Sequence, residues 1–244
     1  MKKMSTLFKK DPDNLGRVID EINPENDWVF TDEGVKATRK FDGTSCAIIN
    51  GKLYKRYDAK GEAIMQYDSS EDYPTGYEFV TKKSIPDNAI PCQDPDLTSG
   101  HWPHWVPCNR DNPSDKYHWE AFDQYMEQFY PKTRLSVDQS LLLEDSWAKN
   151  KTHDGTYELC GPKVQGNPEG FEEHTLVHHG SEEMLIGSAK FMEYIGMTWQ
   201  DVPVEDQFES LRLVLLCINV EGIVFHHPDG RMCKIRKKDF GLKR

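Results

Sequence analysis

In SCAIINGKLYKRY (45–57), an apolar run ending in Ile48-Ile49 meets a second strand-like run, KLYKRY, at Asn50-Gly51, and no other feature of the chain constrains its fold as much. A two-residue connection between antiparallel strands needs positive φ at both positions, which Asn-Gly tolerates well. Residues 46–49 and 52–57 are therefore expected to pair as a hairpin. Just upstream, KFDG places Lys40 at the head of the first run. Lysine is strongly hydrated and depleted in strands, so one reading is a solvent-facing side chain. The other is an amine held still to act as a nucleophile.

NVEGIVFHHPDGRMCKIRKKD (219–239) repeats this logic around PDG. With Asp229-Gly230 as a two-residue turn, Phe225 faces Lys234 and Ile223 faces Arg236. Side chains alternate along a strand, so Glu221, Ile223, Phe225, Lys234 and Arg236 are then expected on one face. That face is either a set of cooperating charges or a charged outer surface. A third cluster, GTYELCGPKVQGNPEG (155–170), sets Glu158 among Tyr157, Leu159 and Cys160 before a Gly- and Pro-rich loop. A carboxylate inside such a strand needs a cation or a hydrogen-bond donor, unless it simply faces water.

Further strands are expected at TYELCG, HTLVHH, EGIVFHH and RMCKIR. Helices are expected over 11–24, closed by Pro24, and over 136–150, 181–197 and 203–218. KYHWEAF (116–122) fits strand or helix, and strand is favoured. About 60–115 reads as an irregular insertion, rich in Asp, Pro, Ser and Gly beyond residue 67. Short hairpin strands with segregated helices predict an α+β fold with largely antiparallel sheets, in one domain over 1–244.

The chain is too apolar for disorder, with 37% hydrophobic and 29% charged residues. A net charge of −11 argues against a nucleic-acid coat protein, yet KIRKKDFGLKR at the end carries six of the thirty Lys and Arg. Six cysteines without a C-x-x-C pair fit free thiols in a reducing compartment. The N-terminus lacks the apolar core of a secretory signal, and LRLVLLCI is too short to span a bilayer. A soluble intracellular protein, cytoplasmic or nuclear, is expected. CQDPDLTSGHWPHWVPC offers Cys92, His101, His104 and Cys108 to zinc, but the spacing is irregular and a loop with buried Trp102 and Trp105 is favoured. The His178-His179 and His226-His227 pairs cannot chelate as pairs, because neighbours on a strand point to opposite faces.

KFDG, YKRY, YELCG, EGIVF and CKIR occur in the order used by the covalent nucleotidyltransferases, a superfamily that includes ATP-dependent ligases and mRNA capping enzymes. K-x-D-G alone is weak; the ordered set is specific. The chain resembles more closely the compact 5′-to-3′ RNA ligases of vertebrates, through ATRKFDGTSC, WVP, YELCGPKVQGNPEG, TLVHHG, EGIVFHHPDG and KIRKKDFGL. This covers most of the chain from about residue 36.

The resemblance implies a ligase adenylation-domain fold with helices flanking the sheets and no OB domain. It implies ATP, Mg²⁺ or Mn²⁺, and RNA carrying a 5′-phosphate and a 3′-hydroxyl, with no membrane. Lys40 would form lysyl-AMP, within a nucleotide-binding motif that includes Asp42 and Gly43. Arg56 would hold a phosphate or the ribose, and Glu158 the ribose hydroxyls or the metal. Glu221 would place the metal and orient Lys40. Lys234 and Arg236 would neutralise the α-phosphate, although the family more often has Lys-x-Lys, which leaves Arg236 and Lys237 as rivals for the second charge. Phe225, His178 and His179 are candidates for the adenine platform. The alternatives are transfer to a different acceptor, a protein or an RNA cap, and a non-catalytic module that binds RNA ends or nucleotides.

Overall fold

The computed structural model describes residues 3–67, 74–129, 153–184 and 203–244. The chain divides into two compact units, Met4–Asp42 with His179–Arg244, and Met1–Lys3 with Gly43–His178. Elements are numbered in chain order. The helix expected over 136–150 lies outside the described residues, as does 185–197 of the one expected over 181–197; the described residues 181–184 of the latter are not helical, and Glu183 bridges to Thr38 instead.

The first unit holds β1 (Ser5–Thr6), β2 (Phe8–Lys10), β3 (Val18–Ile22), α1 (Trp28–Thr31) and β4 (Lys36–Lys40). The second unit carries β5 (Thr44–Ile49), β6 (Lys52–Tyr67), β7 (Pro74–Thr81), β8 (Ile90–Pro91), β9 (His101–Pro107), α2 (Lys116–Phe129), β10 (Gly155–Cys160) and β11 (Thr175–His178). The chain then returns to the first unit with α3 (Val204–Cys217), β12 (Gly222–His226) and β13 (Met232–Arg236). The fold is mixed α+β. Among the described residues every strand pairing is antiparallel except that of β1 with β13. None of the described helices is long and apolar enough to cross a membrane.

In the first unit, β1, β13, β12 and β4 form a four-stranded sheet in that order. Alternation sends Ala37, Ile223, Phe225, Cys233 and Ile235 into a core shared with Leu211 and Leu215 of α3 and with Trp28 and Phe30 of α1. The helix expected over 11–24 is not formed. Asp11 and Asn14 accept hydrogen bonds from the backbone N–H of Asp13 and Gly16, turns that compete with a helix, and Val18–Ile22 pairs with β2 instead.

The second hairpin forms, but one residue out of the expected register. Val224 pairs with Lys234 and Gly222 with Arg236, while Phe225 pairs with Cys233. A type I′ turn needs positive φ at Asp229 as well as Gly230; only Gly230 has it, at 93°. The loop is therefore three residues long, closed by His227 N–H donating to Arg231 O at 2.9 Å. A one-residue slip exchanges sheet faces. Ile223 and Phe225 lie in the core, and Lys234 and Arg236 lie on the opposite face.

In the second unit, β11, β10, β5, β6, β9 and β8 form the main sheet, with β7 paired to β6. The first hairpin forms with Asn50 at φ 49° and Gly51 at φ 69°, as a type I′ turn requires. The Asp154 carboxylate accepts both turn N–H groups, at 2.8 and 3.1 Å. Residues 116–122 are helical, not a strand. Asn112 caps the preceding 3₁₀ turn, and Ala121, Phe122 and Met126 recur at helical spacing against Cys46, Ile48, Leu53 and Leu159. The expected irregular insertion is partly regular, because β6 continues to Tyr67 and β9 crosses it over Tyr54–Lys60.

Candidate functional site

Lys40 is the last residue of β4 and pairs with Gly222; two residues earlier, Thr38 pairs with Val224. The same β12 residues pair with Arg236 and Lys234. Residues paired across neighbouring strands share a face, so Lys40, Lys234 and Arg236 stand together on the side away from the core. Glu221 immediately precedes Gly222, and its carboxylate accepts a hydrogen bond from the Lys40 amine. Its own carbonyl accepts from Lys237 N–H at 2.9 Å, which anchors this end of the strand. Gly222 has no room for a side chain, since a Cβ there would lie 2.3 Å from Ile235 O and 2.8 Å from Arg236 Cα.

Burial, reinforced by the charges of Arg236 and Lys40, brings the Lys234 ammonium down to a pKa of about 8. Three cations therefore crowd one face, partly offset by Glu221. The guanidinium of Arg236 is forked onto Asp239, with Nε to Oδ2 at 3.0 Å and Nη2 to Oδ1 at 2.8 Å. Asp239 is wholly buried and also accepts from Lys10 at 2.7 Å. Burial would raise its carboxyl, but the bonds from Arg236 and Lys10 outweigh this and hold it below the ordinary range. Of the two rivals for the second charge, Arg236 lies on the Lys40 face, and Lys237 starts the next 3₁₀ turn with 7% exposure.

Phe225 is not brought to this face. It is a fully buried core residue, placed there by the corrected register, and is no platform for a base. Asp42 lies 3.7 Å from the Arg244 guanidinium. His226 Nε2 and Thr38 Oγ1 are 2.9 Å apart, and burial followed by the charge of His179 lowers the His226 pKa. Sequence reasoning missed Lys10, Thr38 and Asp239. Asp239 had only a local cue, its place three residues after Arg236. For Lys10, 229 residues away, there was none.

The second unit positions Gly43, Arg56 and Glu158. Glu158 of β10 pairs with Ser45 and Val177, while Tyr157 and Leu159 on the other face fill the core. At 8% exposure its carboxylate still has a donor, because Gly43 N–H bonds Oε1 at 3.1 Å. That approach depends on glycine, since a Cβ on Gly43 would sit 2.2 Å from Leu159 O. Cys46 pairs with Lys55, so Ser45 and Arg56, one step along each strand, turn to the Glu158 face. There Arg56 pairs with Trp105, its guanidinium 5.7 Å from the ring centroid.

The candidate zinc quartet does not assemble. His101 Nδ1 lies 2.6 Å from Asp58 Oδ2, and His104 Nδ1 lies 2.8 Å from Trp102 O. Among the described residues the one convergent set of three metal-type donors is Cys108, Asp115 and His118. Each unit holds one of the two expected carboxylate ligands, Glu221 in the first and Glu158 in the second, of the oxygen type that a hard cation such as Mg²⁺ prefers.

Comparison with known proteins relates the chain to one family. Residues 31–244 match the family model described as RNA ligase 1. The chain is similar to RNA ligase 1 of Rattus norvegicus, 26% identical over 235 residues, or 84% of this chain and 67% of that protein. It is 26% identical over 235 residues to RNA ligase 1 of Danio rerio, covering 85% of this chain and 67% of that protein. RNA ligase 1 of Pongo abelii is 24% identical over 234 residues, with 84% and 67% covered.

Proposed function

The chain belongs to the RNA ligase 1 family, and from that premise we propose that it is an ATP-dependent RNA ligase with a nucleotidyltransferase fold, working through a lysyl-AMP at Lys40. The observation that carries the reading is the Lys40 amine held by Glu221 on a sheet face that it shares with Lys234 and Arg236.

An ordinary lysine is neutral about once in a few thousand molecules at pH 7, so attack needs a place for the amine proton. The Glu221 carboxylate, already hydrogen-bonded to that amine, receives it. Lys40 Nζ attacks the α-phosphorus of ATP, the Nζ–P bond forms, and the bond to the β-phosphate oxygen breaks to release pyrophosphate. A 5′-phosphate oxygen of RNA then displaces Lys40, which recovers its proton, and carries AMP away in a 5′-5′ pyrophosphate linkage. A 3′-hydroxyl attacks the RNA phosphorus, forms the phosphodiester and expels AMP.

Each step is a displacement at phosphorus. Fixed cations that meet the charge developing on phosphate oxygens serve all of them. Lys234 and Arg236 have this role, and Asp239 positions the Arg236 fork. Glu221 would help place Mg²⁺ or Mn²⁺, whose charge would offset that of the phosphates, and Glu158 would take the ribose hydroxyls or the metal. Arg56 would contact a phosphate or the ribose.

The test is intact-mass spectrometry after incubation with ATP and Mg²⁺, followed by RNA bearing a 5′-phosphate. One added AMP mapped to Lys40, and a longer RNA, are expected. AMP on the protein without RNA joining would point to a different acceptor. No AMP on Lys40 would overturn the mechanism.

A further inference from the structure

We propose that Cys108, Asp115 and His118 form a second metal site, of the zinc class, independent of the ligation chemistry. One donor atom from each residue lies within 4.8 Å of the others. Cys108 follows β9, its N–H fixed by Leu53 O at 2.9 Å. Asp115 ends the 3₁₀ turn Pro113–Asp115, and His118 lies three residues on, in the first turn of α2.

An independent observation points to a missing ligand. His118 is 9% exposed, and neither of its ring nitrogens has a hydrogen-bond partner. A buried imidazole left wholly unpaired is costly, and native interiors rarely contain one. It sits beside a thiol and a carboxylate, which are the other two donor types zinc accepts. Mixed sulfur, nitrogen and oxygen donors select against Mg²⁺ and Ca²⁺, which take oxygen. Zinc bonds of about 2.0–2.3 Å put tetrahedral donors roughly 3.3–3.8 Å apart, so the three must close by about 1 Å. Water would take the fourth position.

Asp115 also has a cationic partner. The Lys55 ammonium lies 2.5 Å from Oδ1, and Oδ2 accepts from Asn109 N–H at 2.9 Å. A divalent ion would take over from Lys55, and the Cys108 thiol would release its proton on binding. The loaded site would tie the end of β9 to the start of α2. Cys108 was one of the four zinc-type donors of CQDPDLTSGHWPHWVPC; the fold gives it different partners.

The test uses the full chain, stripped with chelator, then given Co²⁺ or Zn²⁺ and desalted. Expected are about one retained equivalent of zinc and, with Co²⁺, thiolate charge-transfer absorption with tetrahedral ligand-field bands. Cys108→Ser should abolish the charge-transfer band, and His118→Gln should weaken zinc binding by at least about tenfold. Lys55→Met should tighten it. A wild-type protein that shows no thiolate band with Co²⁺, or zinc retention unchanged in Cys108→Ser, overturns the site. The wild-type spectrum is decisive even if a variant fails to fold.

Discussion

The Glu221 carboxylate, one residue ahead of β12, accepts a hydrogen bond from the Lys40 amine, and the pairing of the next residue, Gly222, with Lys40 brings the two backbones close enough for it. A carboxylate fixed to a nucleophilic amine both orients it and offers a base for its proton. In the proposed reaction, removing either side chain therefore removes a different part of one device.

Lys40→Ala and Lys40→Arg should both abolish AMP transfer to the protein, the second because a guanidinium stays protonated. Glu221→Gln keeps a hydrogen-bond acceptor but loses the base, and should slow self-adenylylation by about 10²–10⁴-fold. Labelling with α-³²P-ATP measures both. An active Lys40→Arg protein would disprove the nucleophile assignment.

Nucleotide affinity should fall as pH rises past about 8, where free Lys234 loses its proton. Bound phosphate favours the charged form, so the decline spans the interval from that pKa up to its raised value in the complex. In Lys234→Arg the charge is permanent and this limb should disappear. Titration of a non-hydrolysable ATP analogue between pH 6.5 and 9.5 checks it; a parallel decline in both proteins would rule out Lys234 as its source.

Asp239 is buried and bonded to both Arg236 and Lys10, so Asp239→Ala should cost about 3 kcal/mol in urea unfolding, with the m-value unchanged. Its folded carboxyl titrates below the usual range, so its contribution is complete above the unfolded value of about 3.9. It is lost as pH falls through the lower, folded value. Asp239→Ala should accordingly narrow its deficit against wild type in acid.

Gly222→Ala and Gly43→Ala each drive a methyl group into a backbone carbonyl, Ile235 O and Leu159 O respectively. Overpacking of this kind costs about 1–3 kcal/mol. The first shift displaces the Lys40–Glu221 pairing and the second the Glu158 contact, so adenylylation should fall further than stability does. Thermal melts beside initial labelling rates separate the two effects.

Glu158→Ala and Arg56→Ala should each raise the ATP concentration needed for half-maximal labelling by about tenfold or more, equivalent to roughly 1.4 kcal/mol. Unaltered ATP dependence in both would remove them from the nucleotide-binding set.

Local chemistry made much of this legible. Asn50-Gly51 demanded its turn, and Glu158 in an apolar strand demanded a donor, supplied by Gly43 N–H. The order of the charged motifs carried the family. KYHWEAF misled because its three aromatic residues, Tyr117, Trp119 and Phe122, suit a strand, and only the packing of Phe122 and Met126 on Cys46 and Ile48 decided for a helix. VIDEI, within an expected helix, is a strand because the side-chain turns at Asp11 and Asn14 end any helix before it and β2 offers it a partner.

By itself, then, the sequence determined which residues are candidates for the proposed chemistry, since side-chain type and order along the chain are local properties. Only the tertiary structure decided their faces. Asp229 does not adopt the positive φ that a two-residue turn requires, so the last hairpin slipped by one residue; Phe225 went into the core, and Lys234 and Arg236 came to stand beside Lys40. A strand has a side-chain period of two, so a single unread residue in a loop reverses every face that follows.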